Sequence, residues 1–197
     1  MIILFGLAGS GKGTQAKLLS EMFGWRTFSV GQVIRDTGGY DDIIDKGELI
    51  PDEDVIRLMN KQIERSEAEG YDVILDGYPR TKVQAEYLVE HMKNDIDGAI
   101  VLDVPKEELY NRLALRGRTD DQEKSAIDRR FEIFEQNICS ILPLFEAQNI
   151  PVAHVNGVGE IGTVTGRLVA AVQKFNPNAA KQQNDVNGGE IEKSYGE

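Results

Sequence analysis

Cysteine and histidine are scarce in this sequence, which contains one cysteine and two histidines among 197 residues. Cys139 has no second cysteine in the chain with which to form a disulfide. Two histidines and one cysteine are also too few for a zinc site with four such ligands. These absences exclude a disulfide scaffold and a structural zinc domain. They favour a reducing compartment, so we expect a cytoplasmic protein.

Positive charge and long hydrophobic runs are also in short supply. Asp and Glu number 33 against 22 for Lys and Arg, which gives a formal net charge of -11. Such a surface repels nucleic acid and anionic membranes, so we expect neither as a partner. No window approaches the roughly 18 apolar residues of a membrane-spanning helix. The length and the 41% hydrophobic content instead suit one compact, soluble domain.

A glycine-rich loop follows the first apolar run. Residues 2–5 are apolar, and residues 6–15 read Gly-Leu-Ala-Gly-Ser-Gly-Lys-Gly-Thr-Gln. The glycines let the backbone turn its N–H groups inward, and a helix predicted at residues 12–22 adds the positive end of its dipole. Both features attract an anion, and Lys12 supplies a mobile charge for the β and γ phosphates of a nucleotide. The pattern predicts a phosphate-binding loop.

Short apolar runs alternate with helical patterns along the rest of the sequence. We predict strands at residues 2–5, 26–29, 73–75, 100–102 and 152–155, and a long helix at residues 122–147. This alternation indicates a buried parallel sheet with helices on both faces. We therefore predict an α/β fold of the three-layer P-loop NTPase type with a five-stranded parallel sheet. Ligands of such sheets bind at the carboxyl ends of the strands.

Two segments depart from this alternation. Residues 29–64 offer short helical pieces at 32–36 and 41–45 before a longer helix from Pro51, which predicts a small helical insertion over the sheet. Residues 176–197 contain few apolar residues to bury. We predict a disordered tail there, after a folded core at residues 1–175.

Two further motifs carry groups that suit phosphate chemistry. Residues 76–81 read Asp-Gly-Tyr-Pro-Arg-Thr at the end of a predicted strand, and an acid there can order Mg²⁺ or its waters. A later cluster contains Arg112, Arg116, Arg118, Asp120, Asp121 and Arg129. Planar guanidinium groups stabilise the negative charge of a phosphoryl group in transfer. For any single arginine, a salt-bridged helix face is the alternative.

Together, these motifs resemble the adenylate kinase branch of the nucleoside monophosphate kinases over roughly residues 1–175. Residues 11–15 resemble the end of that family's loop, and residues 76–81 resemble its Asp-Gly-Phe-Pro-Arg-Thr signature. Residues 29–35 and 47–52 resemble the two segments that wrap AMP. The resemblance implies a mostly monomeric enzyme that transfers the γ-phosphoryl group of ATP, with Mg²⁺ as cofactor, reversibly to AMP to give two ADP.

The resemblance also assigns roles to individual residues. The implied catalytic residues are Lys12, Arg80, Arg116, Arg118, Asp120, Asp121 and Arg129. The implied ATP-binding residues are Gly9, Ser10, Gly11, Lys12, Gly13, Thr14, Arg112, Arg116 and Gly159. The implied AMP-binding residues are Val30, Arg35, Glu48, Leu49, Ile50, Gly77, Arg80, Gln84, Arg118 and Arg129. Asp76 is the implied magnesium residue, acting through water, and Gln84 is the residue implied to read the adenine edge.

The sequence departs from the family pattern near the acceptor base and at the lid. Val30 and Gln32 stand where the family usually has Thr and Asp, which removes a hydroxyl and a charge. Gly117 alone joins Arg116 to Arg118, where the family carries a lid over ATP. We interpret residues 116–121 as a vestigial lid, and because lids exclude water we expect more ATP to be lost to hydrolysis than in long-lid enzymes.

Three other functions stay open from the sequence. The first is a kinase for UMP or CMP, which Val30 and Gln32 permit and Gln84 disfavours because its amide complements adenine. The second is a regulatory nucleotide-binding module with weak or no catalysis. The third is an ATPase whose hydrolysis is indifferent to AMP. A panel of monophosphates and an assay of ADP formation separate these possibilities.

Overall fold

A parallel β-sheet forms the centre of the computed structural model, which describes residues 1–117, 121 and 123–179. Its strands are β1 (Ile2–Phe5), β2 (Arg26–Ser29), β3 (Val73–Asp76), β4 (Gly98–Asp103) and β5 (Val152–Asn156). They lie in the order β2-β3-β1-β4-β5, and every neighbouring pair is parallel. Within the described residues, the predicted five-stranded parallel sheet is confirmed.

Helices connect the strands. They are α1 (Lys12–Phe23), α2 (Val30–Thr37), α3 (Asp41–Asp45), α4 (Asp52–Ala68), α5 (Lys82–Met92), α6 (Lys106–Arg116), α7 (Lys124–Ala147) and α8 (Ile161–Phe175), with a short 3-10 helix at Lys93–Asp95. Several predicted boundaries are wrong by one or two residues: α2 starts at Val30 where residue 32 was predicted, and β4 starts at Gly98 where residue 100 was predicted. Pro51 precedes α4 as its N-cap, and Glu123 caps α7, which starts two residues after the predicted position 122.

The sheet is covered on both faces because its strands alternate their side chains. In β1, Ile3 and Phe5 belong to a core with α4, α5 and α7, while Ile2 and Leu4 belong to a core with α1 and α8. Successive residues of a strand point to opposite faces, so an entirely apolar strand requires cover on both. The result is the three-layer arrangement that the sequence predicted.

Helices α2, α3 and α4 form an excursion between β2 and β3. Helices α2 and α4 pack against each other and against β2, and α4 also contacts α5. Val30 and Ile34 of α2, with Val55 and Met59 of α4, are buried in the core that covers one face of the sheet. The excursion is therefore anchored to the sheet through apolar residues of α2 and α4.

Four residues of the predicted tail are described. Residues 176–179 leave α8 in a turn, and Ala179 is fully buried in the α1 and α8 core. Packing therefore continues past the predicted boundary at Phe175, while residues 180–197 lie outside the described part of the chain. Among the described residues, no helix has both the length and the apolar character needed to cross a bilayer.

Candidate active site

The loop between β1 and α1 has a shape that requires glycine. Gly6 and Gly9 adopt φ values of 150° and 84°, which residues other than glycine rarely adopt. A Cβ atom on Gly6 would lie 2.8 Å from the carbonyl oxygen of Leu102, and one on Gly9 would lie 2.9 Å from the side chain of Leu113. Both contacts are too short for real atoms. Glycine thus lets this loop pack tightly against β4 and α6.

Lys12 starts α1 and folds its ammonium group back over this loop. Its Nζ donates to the carbonyl oxygens of Gly6 and Leu7, at 2.7 and 2.9 Å, and lies 3.4 Å from the Ser10 hydroxyl. Burial lowers the pKa of Lys12 to about 8. The carboxylate of Asp76 opposes that shift, while the positive charges of Arg80 and Arg116 reinforce it. The lysine is therefore held by oxygen atoms in a region already rich in positive charge.

Asp76 ends β3 beside the same loop. The residue is 8% exposed, and its Oδ2 lies 3.5 Å from where a Cβ atom would stand on Gly13. The parallel register that pairs Leu4 with Asp76 brings the end of β3 next to the end of β1. The carboxylate consequently faces the start of α1, where the sequence predicted a magnesium residue.

Arg112 links three parts of the site. Its Nε donates to Glu108 at 2.8 Å, while its Nη1 and Nη2 donate to the carbonyl oxygens of Ser10 and Gly157, both at 3.3 Å. Helix α6 thereby connects the glycine-rich loop to the loop after β5. Gly159 lies in that second loop and lines the same cavity.

Asp121 organises two further arginines. Its carboxylate accepts from Nε and Nη2 of Arg116, at 2.5 and 2.7 Å, and from Nη2 of Arg130 at 2.8 Å. Burial alone would raise the pKa of Asp121, but the hydrogen bonds from both arginines outweigh it and hold the pKa below its ordinary value. Asp121 is 7% exposed. The ionised carboxylate thus fixes the last residue of α6 relative to the second turn of α7.

Two neighbouring arginines of α7 are placed differently relative to the cavity. Arg129 is 53% exposed and lies 3.9 Å from Glu132, whereas the side chain of Arg130 is 19% exposed and lines the cavity. At about 100° per residue, Arg130 projects to the same side of α7 as Ala126 and Phe131, whereas Arg129 projects away from that side. The buried residues Ala126, Ile127 and Phe131 mark the inward face. Their spacing is the sequence signal that would have selected Arg130.

Two more of the predicted residues have no described placement. Arg118 and Asp120 lie outside the described residues, as does half of the predicted vestigial lid at residues 116–121. The described ends of that segment are Arg116, which closes α6, Gly117, and Asp121.

Arg35 and Arg80 lie on the side of the cavity formed by the helical excursion. A Cβ atom on Gly31 would lie 3.4 Å from Nη1 of Arg35 and 3.5 Å from Nη2 of Arg80, so both guanidinium groups flank this glycine. Nε of Arg80 donates to the carbonyl oxygen of Gly77 at 3.1 Å. Residues 47–50 line the same side of the cavity. The sequence had assigned Arg35 and Arg80 to one acceptor phosphate, and the fold brings them together.

Val30 and Gln84, which the resemblance implied to bind AMP, are both buried. Val30 is fully buried in the core, and neither residue is among the described residues that line the cavity. Gln84 is 1% exposed; its Oε1 accepts the N–H of Arg80 at 2.7 Å and its Nε2 donates to Asp52 at 2.8 Å. Its amide retains one N–H and one lone pair, so reading of an adenine edge remains only a prediction.

One cavity of about 1180 Å³ connects all of these parts. We call its two walls the loop side (residues 9–14 with Arg112, Arg116, Arg130 and Gly159) and the insertion side (Arg35, residues 47–50, Gly77 and Arg80). Asp76 lies between them. The predicted site residues that line this cavity are Gly9, Ser10, Gly11, Lys12, Gly13, Thr14, Arg35, Glu48, Leu49, Ile50, Asp76, Gly77, Arg80, Arg112, Arg116 and Gly159. Roughly 300–1,000 Å³ is usual for a pocket that holds one small molecule, so this cavity has room for more than one.

Comparison with known proteins agrees with this geometry. The family model for adenylate kinase matches residues 4–150. A protein named adenylate kinase from Phocaeicola vulgatus is 34% identical over 88% of this chain and 98% of its own length. Adenylate kinases from a Synechococcus strain and from Thermus thermophilus are 34% and 32% identical, over 90% and 87% of this chain and 98% and 96% of their own lengths. The cavity, its glycine-rich loop and these matches together place the chain in the adenylate kinase family.

Proposed function

We propose that this protein transfers the γ-phosphoryl group of ATP reversibly to AMP, giving two ADP. The observation that carries the proposal is the continuity of one cavity from the glycine-rich loop to Arg35 and Arg80. The loop side has the features of a polyphosphate site, and the insertion side has a second pair of cationic groups. Direct transfer requires two nucleotides that meet at their phosphates, and a cavity with positive groups on both walls suits that arrangement.

ATP is assigned to the loop side. Backbone N–H groups of residues 9–14 and the N-terminal end of α1 bind its phosphates, and Lys12 moves from its carbonyl partners to the β and γ phosphates. Arg112 and the loop that contains Gly159 flank the adenine end. Glycine at position 13 leaves Thr14 as the next hydroxyl beside the phosphates, and Thr14 lines the cavity.

AMP is assigned to the insertion side. Arg35 and Arg80 hold its phosphate, because paired guanidinium groups bind a phosphate through several charge-assisted hydrogen bonds. The segment of Glu48, Leu49 and Ile50 forms the wall for its nucleoside. Gln84 reaches the base only if its remaining N–H and lone pair become exposed when AMP binds.

The residues around Asp76 suit Mg²⁺ bound to ATP. Magnesium prefers oxygen ligands and keeps several waters, so it needs few protein groups when phosphate oxygens supply the rest. The Asp76 carboxylate faces the start of α1 beside Gly13, and Thr14 lines the cavity nearby. Asp76 would hold the ion through water, and the ion would neutralise charge on the transferring phosphate.

The reaction needs no covalent intermediate. Phosphoryl transfer has a loose transition state with charge on its equatorial oxygens, so positioning and charge stabilisation supply most of the rate. Among the described residues, the cationic groups of the loop side include Lys12, Arg116 and Arg130. Asp121 holds Arg116 and Arg130 in fixed positions by hydrogen bonds, so they need little reorganisation during transfer.

An assay of ADP formation with ATP, Mg²⁺ and a panel of monophosphates tests the proposal. We expect ADP formation to depend on AMP and to be much slower with UMP, CMP or GMP. Faster ADP formation with UMP or CMP would show that one of these monophosphates, and not AMP, is the preferred acceptor. Hydrolysis of ATP at a rate indifferent to AMP would overturn phosphoryl transfer altogether.

A dinucleotide of two adenosines joined by a polyphosphate tests the shared cavity independently of turnover. Calorimetry should show one such molecule bound per chain, and it should block both ATP and AMP. Simultaneous binding of the dinucleotide and AMP would contradict a head-to-head arrangement.

A further inference from the structure

Asp52 joins the two parts of the insertion side. It is the first residue of α4 and follows the cavity-lining Ile50 by two positions. Its Oδ1 accepts from the hydroxyl of Thr81 at 2.7 Å and from Nε2 of Gln84 at 2.8 Å. Thr81 and Gln84 belong to the start of α5, directly after Arg80. A carboxylate of the excursion is therefore bound to the helix start that follows a phosphate-binding arginine.

The same hydrogen bonds continue to the backbone of Arg80. Thr81 is the N-cap of α5 and accepts the N–H of Gln84 at 3.2 Å, while Oε1 of Gln84 accepts the N–H of Arg80 at 2.7 Å. This is close to a capping box, in which a side chain three residues into the helix reaches back to the helix start. Here Asp52 supplies the additional partner that fixes both capping side chains.

The chemistry of the groups sets the orientation of the Gln84 amide. A carboxylate can only accept and a backbone N–H can only donate, so Nε2 must face Asp52 and Oε1 must face Arg80. Gln84 is 1% exposed, which leaves little water to replace either partner. Without Asp52, the buried amide N–H of Gln84 would lose its acceptor, which leaves the full desolvation penalty of that group in the present arrangement.

We propose that Asp52 is a positioning residue for the acceptor side of the site. It keeps residues 47–50 and Arg80 at a fixed separation by binding Thr81 and Gln84, and it makes no contact with the reacting atoms. This inference rests on the proposed assignment of AMP to the insertion side. Asp52 ends the segment 47–52, to which the resemblance gave a part in wrapping AMP, but the motifs gave Asp52 no individual role and it does not itself line the described cavity.

The test compares Asp52→Ala with Glu53→Ala. Both acidic residues lie in the first turn of α4, and Glu53 is exposed, so both variants remove one favourable charge from the same helix start. We expect Asp52→Ala to raise the calorimetric Kd for AMP and the KM for AMP by about tenfold or more, the loss expected for a hydrogen bond to a charged group. The KM for ATP and all values of Glu53→Ala should remain close to wild type.

Asp52→Asn is the conservative variant, since its side-chain oxygen can still accept from Thr81 and Gln84. It should restore most of the AMP affinity and leave a rise of about threefold from the weaker neutral hydrogen bonds. If Asp52→Ala fails to unfold cooperatively in a melting experiment, Asp52→Asn decides the question alone. A Kd for ATP that rises as much as the Kd for AMP in that variant would then overturn the proposal.

Two other outcomes also overturn it. One is an Asp52→Ala variant whose AMP affinity matches that of Glu53→Ala, and the other is an equal loss for ATP and AMP, which would indicate a merely structural role. Direct binding of AMP separates this inference from the proposed function. Wild-type protein that binds AMP without forming ADP would refute the kinase activity and still permit the Asp52 comparison.

Discussion

The two walls of the cavity differ in how firmly their cationic groups are held. On the loop side, Lys12 has carbonyl oxygens at 2.7 and 2.9 Å, and the buried Asp121 binds both Arg116 and Arg130. On the insertion side, Arg35 donates to the exposed Gln32 at 3.2 Å, and Arg80, an exposed residue, donates from Nε to the carbonyl oxygen of Gly77 at 3.1 Å. The loop-side cations are thus held by closer and more buried oxygen atoms than the two insertion-side arginines.

The difference has an energetic meaning. Groups that are already in position lose little conformational entropy when a ligand binds. They need no reorganisation as charge develops, so they act mainly by stabilising the transition state. Exposed arginines lose side-chain entropy on binding and contribute mainly to affinity. We therefore expect loop-side substitutions to lower kcat and insertion-side substitutions to raise the KM for AMP.

The largest expected effect is that of Lys12→Ala. Loss of the mobile charge at the phosphates should lower kcat by roughly 100-fold to 1,000-fold, as for removal of a group that stabilises developing charge. The melting temperature should not fall, because the ammonium group is desolvated in the folded protein. Lys61→Ala, on the exposed face of α4, is the control. Near-normal turnover in Lys12→Ala would refute the assignment of ATP to the loop side.

The neighbouring arginines of α7 give a matched pair. Arg130→Ala should lower kcat by about 100-fold, since it removes a charge held at the cavity by Asp121. Arg129→Ala removes an exposed group and should leave kcat within about twofold of wild type. Steady-state kinetics on both variants measures the difference. A larger loss of kcat in Arg129→Ala than in Arg130→Ala would contradict the observed orientation of α7, in which Arg130 faces the cavity.

Arg35→Ala tests the insertion side. We expect the KM for AMP to rise about tenfold while kcat and the KM for ATP change little, because one of two guanidinium groups at the phosphate is lost. Arg57→Ala is the control, since Arg57 is 66% exposed and pairs with Asp54. If Arg35→Ala lowers kcat by a larger factor than it weakens AMP binding, the expectation that insertion-side substitutions act mainly on the KM for AMP is wrong.

The smallest expected effect is a pH dependence from Lys12. Its pKa of about 8 lies below the ordinary 10.5, so the free protein loses this proton as pH rises through 8, and the KM for ATP should increase about fourfold from pH 7 to pH 8.5. Bound phosphate raises the pKa again, so kcat at saturating ATP should change less.

Stability should move in the opposite direction from ATP affinity. A lysine pKa that is lowered in the folded state costs stability below pH 8, and that cost disappears as pH rises from 8 towards 10.5. Melting temperatures of Lys12→Ala and wild-type protein across this range isolate the contribution of Lys12 to stability.

The same variant tests the pH dependence of the KM for ATP. A pH profile for the KM of ATP that is unchanged by Lys12→Ala would assign the titration to another group.

Much of the fold was predictable from local pattern. The apolar runs gave the strands because a strand buried on both faces needs apolar residues at every position. Strand ends and helix starts were less certain, as at Pro51 and residue 122, because several neighbouring residues could cap the same helix. The glycine-rich loop was predictable since its backbone shape restricts the residue types it can contain.

Site residues were predictable where a short motif determines their position. They were not predictable where helix packing determines which way a side chain points. Lys12, Asp76 and Arg80 follow directly from short motifs at the ends of strands, and all three line the cavity. That Arg130 lines the cavity and Arg129 is exposed was not predictable, because a shift of one residue turns a side chain by about 100° around a helix, and packing sets the rotation of α7 about its axis. No local pattern linked Asp52 to Gln84, since they are 32 residues apart.

The sequence by itself determined the parallel sheet, the phosphate-binding loop and the kinds of charged groups near it. Each of these depends on residues that are neighbours in the chain. Tertiary structure alone decided that Arg130 faces the cavity, that Val30 and Gln84 are buried, and that Asp52 binds the start of α5. These outcomes depend on how helices rotate and pack against one another, and that rotation is fixed only when distant apolar faces are buried together.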